Sequence, residues 1–272
     1  MYNPSRLQPL HVASVLLLAS ALHAQWLNYP TPGVPQNKDG SPNLSAPAPR
    51  TAAGKPDLSG IWLAERNRPC PKDGCADMEI GQEFMEIGWS VPGGLPYQNW
   101  AASLKKERMA KDGVGDPGSS CRPTGIIKMH TSPFFRRIVQ TPDLLLILTE
   151  RDAEFRQIFT DGRPLPKDPN PTWQGYSIGH WDGEDFVAET AGFKNQGWLD
   201  NDGRPATNAL HVIERFRRND FGNMDILITI DDSQAYTKPW TVKLPLKLLP
   251  DTDLLEYVCG ENNKDLQHLV GK

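Results

Sequence analysis

The sequence predicts an all-β protein in which antiparallel strands follow one another as a meander and close into a barrel. Apolar and polar residues alternate with a period of two through most of the chain after residue 134, a pattern typical of half-buried strands. Turn sequences such as Asp182-Gly183 and Asn219-Asp220 separate the alternating segments and favour hairpins. A series of hairpins favours a barrel, because closure of the sheet removes exposed edge strands.

Residues 1–24 predict a secretory signal peptide. A short positive start is followed by a largely apolar run from Leu10 to Ala19, and small residues then permit cleavage after Ala21 or Ala24. The apolar run is too short to span a membrane and no other long apolar run follows, so we expect no membrane span. We therefore expect a secreted or periplasmic protein.

Residues 25–56 predict an extended arm on the surface of the barrel domain. The segment is rich in Pro, Asn, Gly, Ser and Ala, and proline removes hydrogen-bond donors that a sheet would need. The sequence Asp-Gly-Ser-Pro-Asn-Leu-Ser at residues 39–45 is echoed by Ala-Gly-Lys-Pro-Asp-Leu-Ser at residues 53–59. The same turn chemistry therefore occurs twice in succession.

The barrel domain is predicted to cover residues 57–272 and to include one helix, at about residues 98–111. The helical stretch contains no Pro or Gly and places Trp100, Ala101 and Leu104 on one face, so we expect it to pack over an open end or a side of the sheet. The predicted strands are Asp57–Leu63, Phe135–Gln140, Leu144–Glu150, Glu154–Thr160, Tyr176–Trp181, Phe186–Ala191, Leu210–Arg217, Met224–Asp231, Thr241–Leu246 and Leu254–Cys259.

The triplet Gly60-Ile61-Trp62 resembles the Gly-X-Trp sequence that opens the first strand of lipocalins and of the wider calycin group. This resemblance implies a calycin-like barrel in which Trp62 closes one end. Four further strings, at residues 155–163, 179–183, 210–216 and 256–262, resemble a large set of secreted bacterial proteins of unassigned function. That second resemblance covers roughly residues 26–272 and implies export and β architecture.

Export affects the interpretation of the four cysteines, Cys70, Cys75, Cys121 and Cys259. An even number of cysteines in an oxidising compartment predicts two disulfides, for which three pairings exist. Cys70 and Cys75 flank the turn sequence Pro-Lys-Asp-Gly, which would bring them together and leave Cys121 to pair with Cys259. The second bridge would close a long loop and stabilise the fold by about 4 kcal/mol. A zinc site is the alternative, but the spacing provides no second close Cys or His pair.

The charge of the chain argues against a nucleic-acid partner. There are 33 acidic and 29 basic residues, which gives a net charge of −4, and no basic block or basic–aromatic stripe occurs. Apolar residues make up 38% of the chain, enough for a soluble globular protein with a core. We expect the partner to be a small molecule.

The sequence Gly175-Tyr-Ser-Ile-Gly179 matches the Gly-X-Ser-X-Gly motif of α/β-hydrolases, and Asp200 and His211 follow in the matching order. The motif requires a strand before the serine and a helix directly after it. Here the residues that follow predict a hairpin, so Ser177 would lie in the middle of a strand. We therefore reject a Ser–Asp–His triad.

Acid–base chemistry inside the barrel is the better-supported enzymatic hypothesis. Strand alternation places Glu214 on the same face as Val212 and Phe216, with His211 on the other face. A carboxyl group in apolar surroundings has a raised pKa and can act as a general acid or base near neutrality. The candidate catalytic residues are His211, Glu214, Glu189 and His180. The alternative is that Glu214 and Glu189 form structural ion pairs with arginines such as Arg156, Arg215 and Arg217.

Metal binding is not expected. The histidines at positions 130, 180 and 211 have no His-X-His or His-Glu-X-X-His spacing, so a site could only be assembled in space. Asp200-Asn-Asp202-Gly lacks the downstream glutamate of a calcium loop and is more simply a turn. We also expect no organic cofactor.

The sequence leaves three functions open. The first is a secreted small-molecule enzyme, a lyase, isomerase or hydrolase, that uses one of the carboxyl groups with a histidine. The second is a non-catalytic carrier of an apolar or aromatic compound, because aromatic residues at strand ends and in loops commonly line concave ligand sites. The third is a structural envelope protein. The candidate contacts with a ligand or substrate are Tyr176, Arg156, Trp181, Trp198 and Trp240.

Overall fold

The computed structural model describes residues 29–65, 87–111, 113–195 and 197–261. The predicted signal peptide and the predicted Cys70–Cys75 bridge lie outside these residues. Within them, nine strands form a closed barrel, which confirms the predicted fold class. The strands are β1 (Gly60–Ala64), β2 (Arg136–Gln140), β3 (Leu144–Thr149), β4 (Phe155–Phe159), β5 (Tyr176–Asp182), β6 (Asp185–Ala191), β7 (His211–Arg218), β8 (Asn223–Asp231) and β9 (Trp240–Leu248).

One pair of strands departs from the predicted antiparallel meander. Among the described strands, eight neighbouring pairs are antiparallel, whereas β4 and β5 run parallel. A closed ring returns to its starting direction only if the number of antiparallel pairs is even, so nine strands require at least one parallel pair. The proline-rich connection at residues 160–175 carries the chain back along the barrel between these two strands.

The prediction of a tenth strand at Leu254–Cys259 is wrong. This segment crosses the turn between β3 and β4 instead of joining the barrel: the backbone N–H of Leu255 donates to Glu150 Oε1 at 3.1 Å, and that of Tyr257 donates to the Glu150 carbonyl at 3.1 Å. The barrel closes through β9, which pairs with β1. Cys259 forms the predicted disulfide with Cys121, and this bridge ties the crossing segment to the chain 138 residues earlier.

The interior of the barrel is packed with apolar side chains that alternate along each strand. β7, β8 and β9 show an almost regular buried–exposed alternation, as period-two patterning predicts. The side chains that are less than 2% exposed include Trp62, Ile138, Leu145, Ile147, Ile158, Phe186, Val212, Phe216, Ile226, Ile228 and Ile230. We call the end of the barrel where β7 begins the upper end and the end where β7 finishes the lower end.

The arm closes the lower end. Its two echoed sequences form the same tight turn, with Asn37 bonded to Ser41 and Thr51 bonded to Lys55 through their backbones. The glycine at each turn has a φ in the left-handed region, +83° at Gly40 and +74° at Gly54, so the repeat reflects one conformational requirement. Beyond the first turn, residues 44–46 pair through their backbone with residues 221–222, between β7 and β8.

Arg218 joins the arm to the floor of the barrel. Its guanidinium lies 4.9 Å from the ring centroid of Trp62 and 5.2 Å from that of Phe221. It donates to the backbone carbonyls of Asp57, Ser59, Asp220 and Phe221. These contacts satisfy a nearly buried charge with backbone acceptors and fix the chain that enters β1.

Two α-helices among the described residues lie at the upper end. Helix α1 (Asn99–Met109) confirms the predicted helix, although Trp100 is 47% exposed and donates to the Gln234 carbonyl at 2.8 Å. Helix α2 (Gly125–Thr131) was not predicted, and every residue from 126 to 131 is buried. No helix among the described residues is long and apolar enough to cross a membrane.

Candidate functional site: a buried polar cluster and an aromatic cleft

Glu214 lies inside the barrel, on the face that the alternation of β7 predicts, and it is fully buried. Arg156 from β4 approaches its carboxylate in the bidentate manner: Nη1 donates to Oε1 at 3.0 Å and Nη2 donates to Oε2. His130 from α2 contributes its Nε2, 2.7 Å from Oε1. The carboxylate on β7 is therefore bound by one side chain from a second strand and one from a helix.

Arg156 is also held by two hydroxyl groups. Its Nε donates to Ser177 Oγ at 3.1 Å and its Nη2 donates to Thr190 Oγ1 at 2.9 Å. The two hydroxyl oxygens lie 2.8 Å apart, on the adjacent strands β5 and β6. Ser177 lies within β5, as predicted, where it orients an arginine and is far from the geometry of a nucleophile elbow.

The electrostatics keep Glu214 ionised. Burial by itself raises the pKa of Glu214, but the charge of Arg156 and the hydrogen bonds from His130 and Arg156 outweigh it and lower the pKa to about 2. Burial lowers the pKa of His130 below its ordinary value, so this imidazole is neutral near neutral pH. A carboxylate with such a low pKa stays ionised near neutral pH, so it has no proton to donate as a general acid.

Arg136, at the start of β2, completes the cluster and is also fully buried. Its Nη1 donates to the His130 carbonyl at 2.7 Å and lies 3.3 Å from His130 Nδ1. Both contacts of the imidazole fit the neutral tautomer with its proton on Nε2. Nε and Nη2 of Arg136 have no hydrogen-bond partner among the described residues, and burial lowers the pKa of this guanidinium to about 9.

The other three candidate catalytic residues lie on the outside of the barrel, so the four candidates do not form one site. His211 and Glu189 face each other across β6 and β7, with Nε2 and Oε2 3.8 Å apart and about a third of each side chain exposed. Glu189 was expected in apolar surroundings, but its strand turns Ala188 and Thr190 inward. His180 is exposed on β5. None of the three contacts Glu214.

The candidate ligand-contact residues are spread over the molecule. Arg156 belongs to the buried cluster, and Tyr176 stacks on Phe159 with ring centroids 5.4 Å apart. Trp181 packs edge-on against Phe186 at 5.4 Å near the lower end. Trp240 is 5% exposed and packs against Tyr236. Only Trp198 of the five lines the cleft described next.

An aromatic cleft lies at the upper end, beside the start of α2. Trp198 forms one part of its wall and carries the guanidinium of Arg108 on its ring, 4.7 Å from the centroid. Lys194 lies 5.3 Å above the ring centroid of Trp173 at the rim. The lining residues are Thr124, Gly125, Ile126, Ile127, Trp173, Phe193, Lys194, Gly197, Trp198, Leu199, Ala206 and Leu210.

The cleft is shallow. Its total volume is ≈ 370 Å³, which includes space open to solvent. A planar ring could therefore enter the mouth beside Trp173 and Lys194, where it would remain partly exposed to solvent. The lining is almost entirely apolar, with Lys194 as its charged side chain.

Neither the protein-family models nor the curated proteins compared with this chain gave a match. The geometry of the chain therefore carries the functional argument. No group of three or more His, Cys, Asp or Glu residues within the described ranges is arranged to hold a metal ion.

Sequence reasoning did not identify His130 and Arg136 as members of the cluster. His130 lies in a helix of seven residues, too short for a convincing periodic pattern. The sequence does contain one signal for a buried His130. This residue lies four positions after Ile126 and three after Ile127, so a helix would place all three on one face. Arg136 was inconspicuous because a charged residue at the start of a strand is usually exposed.

Proposed function

We propose that the protein is an exported binding protein for a small aromatic or apolar molecule, which it holds at the upper end of the barrel. The observation that carries this proposal is the cleft, where Trp173, Trp198 and Phe193 converge with almost no polar lining. Clefts lined by apolar and aromatic side chains with few polar groups are the usual sites for small ligands.

The dimensions of the cleft define how a ligand would sit. An aromatic ring would lie in the mouth of the cleft, beside Trp173 and Lys194, because the ≈ 370 Å³ of the cleft includes space open to solvent. Rings at such positions favour offset-stacked or edge-to-face contacts with indoles. Trp198 is already covered by Arg108 on one side, so it offers a single face and a rigid wall.

Binding accounts for the geometry better than acid–base catalysis does. The contact that favours catalysis is the pair of His130 Nε2 and Glu214 Oε1, 2.7 Å apart. Both side chains are fully buried, and Arg156 holds Glu214 in its ionised form. A general acid or base must reach the proton that it transfers. The hypothesis of a lyase, isomerase or hydrolase thus stays a prediction from the sequence.

Export is part of the proposal. The Cys121–Cys259 disulfide supports it, because structural disulfides form and persist in oxidising compartments. The pattern of residues 1–24 supports it independently. N-terminal sequencing of the protein recovered from the periplasm or medium should find a mature chain that starts at Leu22 or Gln25, and an uncleaved chain in the cytoplasm would contradict export.

Two measurements test the binding function. Mass spectrometry of the native protein should detect an aromatic or apolar compound retained on purification. Titration with 2-naphthol, followed by ligand-observed NMR, should show saturable binding that weakens by about tenfold in Trp173→Leu, because one stacking contact and its buried area are lost.

Trp181→Leu is the matched control. Trp181 is also partly buried and packs against an aromatic ring, but it lies near the lower end. Its replacement should leave the affinity for 2-naphthol within about twofold of the original, since surface changes remote from a site rarely alter binding. Equal losses in both variants, or no saturable binding by the unmodified protein, would contradict a ligand site at the cleft.

A further inference from the structure

We propose that the barrel interior contains an oxyanion site in which the free edge of Arg136 binds a carboxylate. The site goes beyond the proposed function, because it lies in the buried cluster and not in the aromatic cleft, and it can exist whether or not the cleft binds a ligand.

The first argument is the identity of the unpartnered atoms. Nε and Nη2 lie on the same edge of a guanidinium and present two parallel N–H bonds. These are the two nitrogens of Arg136 without a hydrogen-bond partner among the described residues, while Nη1 is occupied by His130. The edge that remains free is therefore the one that matches two oxygens of a carboxylate.

The second argument is the balance of charge inside the barrel. The charges of Arg156 and Glu214 cancel, and the lowered pKa of His130 leaves its imidazole neutral. Arg136 is fully buried, and no carboxylate among the described residues forms an ion pair with it. A buried charge is costly unless it is paired and hydrogen-bonded, and a negatively charged acceptor would supply both the missing hydrogen bonds and the missing counter-charge.

The third argument is the rigidity of the Arg136 side chain. The His130 carbonyl and His130 Nδ1 hold Nη1, and Glu214 in turn holds His130 through Nε2. The guanidinium is thus oriented before any ligand arrives, which lowers the entropic cost of binding. Thr149 lies directly opposite Arg136 on β3 with a buried side chain, and its Oγ1 accepts a hydrogen bond from the Arg151 N–H at 3.3 Å.

A carboxylate fits this edge better than a halide or a single water does, because only a planar pair of oxygens engages both N–H groups at once. Phosphate shares this chemistry but is larger and, at neutral pH, carries additional charge that this single free arginine edge would not balance. We therefore assign a monocarboxylate and use phosphate as a comparison.

Thermal unfolding of the full-length protein tests the site. The melting temperature should be measured at pH 7 in sodium acetate, sodium benzoate, sodium phosphate and sodium chloride of equal ionic strength. Above its dissociation constant, acetate or benzoate should raise the melting temperature by about 3 to 6 °C for each tenfold increase in concentration, relative to chloride. A response to phosphate without a response to either carboxylate would overturn the assignment.

Variants show whether the response comes from Arg136. Arg136→Met should abolish it, whereas Arg137→Met, on the outer face of the same strand, should retain it. Arg136→Lys keeps the charge without the two-donor edge, so it should shift the carboxylate response to at least tenfold higher concentration, and it replaces Arg136→Met as the test if that variant does not fold. An unchanged response in either variant at position 136, or a wild-type protein that acetate and benzoate stabilise no more than chloride, would overturn the proposal.

Discussion

The two ends of the barrel each contain a buried arginine, and the two side chains have opposite hydrogen-bonding states. At the lower end, Arg218 donates to four backbone carbonyls and is covered by two aromatic rings. At the upper end, Arg136 uses Nη1 alone, and its Nε and Nη2 have no partner within the described part of the chain. Backbone carbonyls of the chain bind the guanidinium of Arg218 at the lower end. At the upper end, the Nε–Nη2 edge of Arg136 has no acceptor among the described residues.

If the two proposed sites bind their ligands, this difference separates a structural end from a binding end. The backbone of the arm, which is fixed by two tight turns, closes the lower end and needs nothing from solution. Short helices, a disulfide and the aromatic cleft form the upper end. Groups that are left unsatisfied in a folded protein often belong to binding sites, where a ligand completes them.

The largest expected effect concerns the cluster below the upper end. Glu214→Gln leaves Arg156 without its counter-ion, so the free energy of unfolding in urea should fall by about 3 to 5 kcal/mol. Glu189→Gln is the matched control, because its carboxylate is partly exposed and lies 3.8 Å from His211, and it should cost less than about 1 kcal/mol. Similar costs for both variants would show that the interior ion pair contributes no more than a surface pair.

Acid should weaken the same cluster. The folded-state pKa of Glu214 is about 2 and its ordinary value is 4.5, so its stabilising contribution is fully present above pH 4.5 and is lost as the pH falls towards 2. The loss should reach about 3 kcal/mol in urea titrations between pH 4.5 and 2. The lowered pKa of His130 adds a decline that begins below pH 6.5. Glu214→Gln should remove the part below pH 4.5, and an identical pH profile in that variant would contradict the assignment.

The disulfide is expected to have the next largest effect. Cys121→Ser with Cys259→Ser should lower the free energy of unfolding by about 2 to 4 kcal/mol, because the bridge restricts a loop that spans 138 residues. Limited proteolysis of this variant should cut near residues 254–261 before it cuts the arm, because the bridge holds this segment at the upper end. Early cleavage in the arm would show that the bridge does not act locally at the upper end.

Alternation along strands made most of the barrel predictable. Glu214 was placed on the inner face and His211 on the outer face from the sequence, and the structure agrees. The parallel pair of β4 and β5 was missed because it follows from the odd number of strands in the ring, which no local pattern encodes. The false strand at Leu254–Cys259 had a suitable apolar pattern, but its backbone bonds to Glu150 and Asp152 instead.

The polar cluster was only half predictable. Arg156 was considered as an ion-pair partner of Glu214, and the structure confirms that pairing. His130 and Arg136 were missed because they lie close together only after α2 folds over the upper end of the barrel. Ion pairs between residues 58 or 84 positions apart depend on the tertiary fold, so a single sequence offers candidates but not the assembled cluster.

Substitution of Arg218 and of Arg136 should have the smallest effects on the free energy of unfolding. Comparison of the two variants tests most directly whether the two ends differ. Without added carboxylate, Arg218→Met should lower the free energy of unfolding by about 2 kcal/mol, since it leaves buried carbonyls unsatisfied. Arg136→Met should change it by less than about 1 kcal/mol or increase it, because removal of an unpaired buried charge offsets the hydrogen bonds to His130. Equal destabilisation by the two substitutions in urea would contradict the claim that the chain satisfies one end of the barrel and leaves the other for a ligand.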